Sequence, residues 1–161
     1  MTTIDPREFR NALGGFPTGV TVITAYDDKN HEPVGMTANS FSSVSLDPPL
    51  VLWSVARNAN SFDAFHKAAR FAIHVLHSGQ RSLSTLFATK DIDKFTDLPH
   101  SVGTGKVPLL NDYMARFECK TEHRHDGGDH IILVGRVTAF DRKDVEPLGF
   151  FQGRYAKIVV D

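Results

Sequence analysis

Cysteine is nearly absent from this chain, with Cys119 as its single instance. One thiol excludes an internal disulfide framework and fits a reducing compartment, so a cytoplasmic protein is expected. An excess of one charge is also missing: 18 Lys and Arg face 19 Asp and Glu, a formal net charge of −1. That balance leaves no global field to gather nucleic acid or an acidic membrane surface. No apolar run nears the roughly 18 residues of a membrane span. The opening MTTIDPREFRNALGGF has no basic segment followed by an apolar one, so no secretion signal is expected. Familiar site signatures are missing too. No G-x-G-x-x-G opens a helix, no G-x-x-x-x-G-K-[ST] occurs, and no G-x-S-x-G elbow supports a serine hydrolase. Repeats and linkers are absent, which predicts one domain over 1–161.

What is present is β-rich. Asp5 as cap, Pro6 at the first helical position and the stop Gly14–Gly15 predict a first helix. Strands are predicted at TGVTVITAYD (18–27), at about 34–45, at LVLWSVA (50–56) and at RFAIHVL (70–76). In the last of these, Phe71, Ile73 and Val75 alternate with Arg70, Ala72 and His74. NSFDAFHKA (60–68) suits a short helix capped by Asn60 or Ser61, and QRSLSTLFATKDIDKF reads as helix then loop. SVGTGKVPLL reads as loop from its Gly and Pro content. Strands at 113–121 and 130–140 flank HRHDGGD, a moderately long hairpin connection, and YAKIVV closes the chain as a strand. These hairpin-linked strands do not fit a βαβ unit, so a mainly β fold is expected, an antiparallel barrel with peripheral helices. Phenylalanine, 12 against one Trp and three Tyr, points to a Phe-rich core with a few rings free to line a site for a flat ligand.

GMTANSFSSVSLDPPL (35–50) is the anomaly, because neither alternate set of residues is apolar as a half-buried strand requires. Within 35–62, hydroxyls and an amide crowd a strand and are followed by Arg57, Asn58 and Ser61 at a helix start. Such a surface suits a ligand with phosphate oxygens and a polar ring edge; the plainer alternative is a solvated edge strand. His123, His125 and His130 cluster with Asp126 and Asp129. Imidazole and carboxylate suit zinc or iron, but a flexible double-Gly turn and the lack of further ligands favour solvated residues and no metal. Cys119 lies on the apolar side of its strand, the position of an inert thiol.

PTGVTVIT (17–24), GMTANSFSSVSLDPPLV (35–51), ARNANSF (56–62) and GDHIILVGRV (128–137) resemble, in order and spacing, the short-chain flavin reductases. The match is colinear over about 7 to 160. This resemblance implies an FMN-binding split β-barrel, usually a homodimer. It implies an NAD(P)H:flavin oxidoreductase that passes hydride from NADH or NADPH to FMN or FAD and hands reduced flavin to a separate monooxygenase. It places Thr37, Asn39 and Ser40 at the ring edge or ribityl chain, and Ser54, Ala56, Asn58, Ser61 and Phe62 on the ribityl-phosphate side. LFATKDIDKF nominates Phe87 and Lys94. His130 of Gly-Asp-His would meet the nicotinamide as the catalytic-site residue, with Arg154 and Tyr155 of FFQGRYAKI nearby. Within 35–50, Thr37 to Ser40 are the flavin candidates, Val44 and Leu46 are expected in the core, and Ser43 and Ser45 stay open. The alternative is a flavin- or haem-binding barrel acting as carrier or sensor. Such a binder has no need for a nicotinamide partner, which the Gly-Asp-His supplies. A pyridoxamine-phosphate-oxidase-like reading ranks below both, for want of a basic cluster for a second phosphate.

Overall fold

The computed structural model describes residues 3–161. Helix α1 (Pro6–Leu13) starts as predicted: the Asp5 carboxylate accepts from the backbone N–H of Arg7 and Glu8, each at 2.9 Å. There follow β1 (Thr18–Gly19), β2 (Thr21–Asp27), β3 (Glu32–Ala38), β4 (Ser42–Ser45), β5 (Leu50–Ala56), α2 (Phe62–Lys67), β6 (Arg70–Val75) and α3 (Arg81–Ala88). The second half comprises β7 (His100–Val102), β8 (Pro108–Leu110), β9 (Ala115–Gly127), β10 (His130–Arg142), β11 (Leu148–Phe151) and β12 (Arg154–Lys157).

Seven strands form one antiparallel sheet in the order β3-β2-β6-β9-β10-β5-β4. Its two edges, β3 and β4, are consecutive in the chain, separated by residues 39–41. Laid flat, seven strands would hold those edges about 29 Å apart, whereas that link reaches on the order of 14 Å. The sheet must therefore curl into a barrel. The crossing is fastened on both sides. Thr21 Oγ1 donates to the Ala38 carbonyl at 2.6 Å, and Ser40 Oγ accepts from the Ser54 N–H at 2.9 Å.

Inside the barrel, Trp53 packs edge-on against Phe65 and Phe71, with ring centroids 5.0 and 6.2 Å away. A second core joins Val20, Val22, Leu76, Phe87 and Leu148, where α3 and the β1-β11-β12 sheet cover the barrel. A Cβ on Gly35 would lie 2.4 Å from Phe87 Cε1, so glycine is what lets α3 sit this close to β3. The mainly β, split-barrel architecture agrees with the expectation.

Several details differ. The strand expected over 34–45 is two strands on opposite sheet edges, because the chain must cross the seam at 39–41. Val44 and Leu46 are not core: they are 47% and 97% exposed. Val44 falls at the irregularity between Ser43 and Ser45 on the free edge strand, and Leu46 lies in the turn beyond it. SVGTGKVPLL is a β7–β8 hairpin rather than loop. That hairpin covers the outer face of β6, so Ala72 and His74 are fully buried despite their polar alternation phase. HRHDGGD is no long connection: the β9–β10 ladder continues to Gly127, leaving a tight turn at Gly128 (φ +76°) and Asp129. At the C-terminus the strand ends at Lys157, and Ile158 to Val160 lie outside it.

Candidate active site

Two adjoining clefts open beside the barrel seam. The smaller, about 450 Å³, brings together six of the predicted residues: Thr37, Asn39, Ser40, Ser54, Ala56 and His130. Register explains the convergence. Residues directly opposite on neighbouring strands share a face, and His130 stands opposite both Ala56 and Gly127 while Ile132 stands opposite Ser54. Short side chains on β5 thus make a flat floor, with His130 at its rim. Met36, Ala38, Gly127 and Ile132 complete the lining and were not anticipated; as apolar or side-chain-free positions they carry no sequence signal for a polar site.

The larger cleft, about 1420 Å³, shares Met36 and Thr37 with the first and contains Ser61, Phe87 and Lys94. Phe87 is 1% exposed and lies under this floor, edge-on to Phe95 at 5.4 Å. Half-buried Lys94 donates to the backbone oxygens of Gly35 (3.2 Å) and Phe87 (3.0 Å), and desolvation lowers its pKa. Across the cleft, Asn60 Nδ2 donates to Asp91 Oδ1 at 3.0 Å, linking the approach to α2 with the segment after α3. Asn58, Phe62, Arg154 and Tyr155 line neither cleft. Asn58 is exposed in the turn after β5, Phe62 stacks on His66 with centroids 5.3 Å apart, and Arg154 is exposed on β12.

Hydrogen bonding sorts the polar residues further. Thr37 Oγ1 donates its proton to the Ser84 carbonyl at 2.6 Å, so toward a ligand its oxygen only accepts. Ser40 Oγ is engaged by both the N–H and the carbonyl of Ser54. The Asn39 amide and Ser54 hydroxyl have no such internal bonds among the described residues and stay free in the smaller cleft. Ser84, which the sequence reading missed, connects Thr37 to the C-terminal sheet: the Tyr155 hydroxyl donates to its Oγ at 2.8 Å.

The tip of the β9–β10 hairpin is held by charge. His130 Nδ1 lies 2.6 Å from Asp129 Oδ1, and that bond holds the Asp129 carboxyl below its ordinary pKa. With Nδ1 donating to the carboxylate, Nε2 is left for a ligand. Arg57 donates through Nε to the Gly128 carbonyl at 2.8 Å and pairs with Asp126. Its charge is therefore spent on the turn instead of standing free for a phosphate. Cys119 is buried, its thiol pushed up to about 12 mainly by desolvation, and is no nucleophile. Among the described residues no group of three or more His, Cys, Asp or Glu is arranged to hold a metal.

Known proteins resemble this chain over most of its length. A chain 48% identical over 151 residues, the FMN reductase (NADH) of Agrobacterium fabrum, covers 94% of this chain, and 85% of its own length is matched. The reductase subunit of a flavin-dependent monooxygenase from Rhodococcus jostii is 39% identical over 98% of this chain and 80% of its own. Against a further relative, from Rhizobium meliloti, the chain spans only 48% of the relative's length at 44% identity. Among solved structures, the NADH:FAD oxidoreductase of Streptomyces globisporus, in complex with NAD and FAD fragments, superposes with a TM-score of 0.89. It is 37% identical, over 100% of this chain and 99% of that one. The model of the flavin reductase like domain matches residues 13–159, and the chain belongs to that family.

Proposed function

We propose that this protein is an NAD(P)H:flavin oxidoreductase, a single-domain cytoplasmic reductase component that supplies reduced FMN or FAD to a separate monooxygenase. The observation that carries the reading is the shared face of His130, Ala56 and Ser54: a flat, small-residue floor with an imidazole at its edge. Ligand sites of this kind measure about 300–1,000 Å³, and the two clefts together exceed that, with room for a flavin and a dinucleotide. The fit is chemical as well as spatial. Free Asn39 and Ser54 groups suit the polar edge of a flavin ring, and Ser61 and Lys94 stand in the larger cleft, where a ribityl-phosphate chain would run.

When bound, a flavin stacked on a nicotinamide supplies the hydride exchange. The residues of this chain supply position. Ser54 and Ala56 keep the floor flat, Asn39 offers a donor and an acceptor at the ring edge, and Thr37 offers an acceptor fixed by its bond to α3. His130, oriented by Asp129, presents Nε2 to the incoming donor. No protein nucleophile is required, consistent with the buried thiol. Stacking two rings at the right separation is worth several orders of magnitude in rate.

Relatives are named for NADH, so NADH is the donor expected here, with NADPH the comparison. The protein works as a homodimer in this reading. Helix α1 has no buried residue and exposes Phe9 and Leu13, and Val44 and Leu46 are exposed elsewhere, apolar surface that a second copy would cover. The test is to mix the protein with NADH or NADPH and FMN, FAD or riboflavin, following absorbance at the nicotinamide band. Turnover with at least one pair is expected; none with any pair would sink the reductase reading and leave the carrier.

A further inference from the structure

His123 and His125 take no part in the proposed flavin site, yet the structure places them with more order than a hairpin tip would. The β9–β10 ladder runs through both, setting His123 opposite Val134 and His125 opposite Ile132. Two residues apart on one strand, the side chains stand on the same face. Their rings are exposed, 5.6 Å apart between centroids and 29° from parallel.

Neighbouring charges are either engaged or turned away. Arg124, between the two, serves the opposite face, where its Nη2 donates to the Ala68 carbonyl at 2.8 Å and its Nε to that of His66. Glu122 accepts two bonds from Arg136, at 2.8 and 3.0 Å. Asp126 is paired with Arg57, and Asp129 with His130. What stays open is a pair of exposed imidazoles. From these positions we infer that His123 and His125 form a two-imidazole site for a divalent transition ion such as Zn²⁺, Ni²⁺ or Cu²⁺.

The geometry suits chelation. Imidazole nitrogens bind at about 2.0–2.1 Å, which puts two nitrogens on one ion within about 4 Å of each other. Rotation about the side-chain torsions brings rings spaced as these are into that range. Water completes the coordination, since no third protein ligand is arranged there among the described residues. The flexible-turn argument against a metal falls away because the strand continues to Gly127. His125 shares its face with Ile132 and Ser54, so the ion would lie beside the smaller cleft, about 10 Å or two strand spacings from Ser54.

The test uses the full chain without flavin or nicotinamide, so its outcome is independent of the reductase reading. Calorimetric titration with Ni²⁺ should show one equivalent that is absent in both His123→Gln and His125→Gln and retained in His31→Gln, a control in the β2–β3 turn. Electron paramagnetic resonance of the wild-type protein with one equivalent of Cu²⁺ should show coupling to two imidazole nitrogens. Cu²⁺ should bind more tightly than Ni²⁺, following the general divalent order. No Ni²⁺ equivalent in the wild type, persistence of that equivalent in either substituted protein, or coupling to a single nitrogen would each overturn the site.

Discussion

His74 and His130 lie on the same seven-stranded sheet and have opposite surroundings. His74, next to the last residue of β6, is fully buried, with both nitrogens committed: Nε2 accepts from the Leu110 N–H at 3.1 Å, so Nδ1–H donates to the Val22 carbonyl, also at 3.1 Å. Burial drives its pKa down to about 3, the Val22 bond opposes the shift, and Arg116 adds to it. His130, at the start of β10, has one nitrogen on an exposed carboxylate and the other open beside the cleft. The residue type is the same and the roles differ. A histidine with no nitrogen to spare is part of the framework, whereas one with a free, oriented nitrogen can meet a ligand.

Substitutions should separate these roles. The largest effect belongs to His74→Ala, which removes two buried bonds and leaves a cavity. It should cost about 3 kcal/mol or more of unfolding free energy, read by urea denaturation. A loss under about 1 kcal/mol would mean that His74 is not a structural tie.

Next in size is a pH effect. The folded pKa of about 3 lies below the ordinary value of 6.5, so between them the unfolded state binds the extra proton. Stability therefore falls as pH drops through that window, by up to about 1.4 kcal/mol per pH unit. Between pH 6.5 and 5, above the range where carboxylates titrate, His74→Gln should flatten the slope. An unchanged slope would assign the acid sensitivity elsewhere.

His130→Ala should do the reverse. Unfolding free energy should stay within about 0.5 kcal/mol of wild type, while KM for the nicotinamide rises about tenfold and KM for flavin holds. Equal rises in both constants would argue against a donor-side role. The smallest effect is expected from Asp129→Asn, which keeps a hydrogen-bond acceptor but removes the charge. An exposed pair of this kind contributes little, so a rise of about threefold in the same KM is expected. In wild type the Asp129 contribution is present above the ordinary carboxylate range and lost as pH falls through its lowered pKa.

Much of the architecture was legible because strand periodicity and turn chemistry are local. The Asp5-Pro6 helix start and the LVLWSVA strand both follow from near neighbours in the chain. Val44 and Leu46 misled because apolar residues beside a strand normally face a core, whereas here they lie on and beyond a free edge. His74 misled for the opposite reason: its alternation phase is polar, and only the distant β7–β8 hairpin makes its face an interior. In the cleft, Thr37, Asn39, Ser40, Ser54, Ala56 and His130 could be nominated together, but Met36, Gly127 and Ile132 carried no separate signal. Their importance is a matter of register across strands far apart in the chain.

The sequence by itself determined the β-rich class, the first helix and the polar stretch at 37–40, since these depend on residues within a few positions of one another. Tertiary structure alone decided that this stretch carries the chain from one edge of the sheet to the other. It also decided that Ser40 is spent on fastening the seam while Asn39 remains free, and that His130 arrives opposite Ala56. Those outcomes rest on pairing between segments tens of residues apart, where closing the barrel decides which polar groups find partners and which stay open to a ligand.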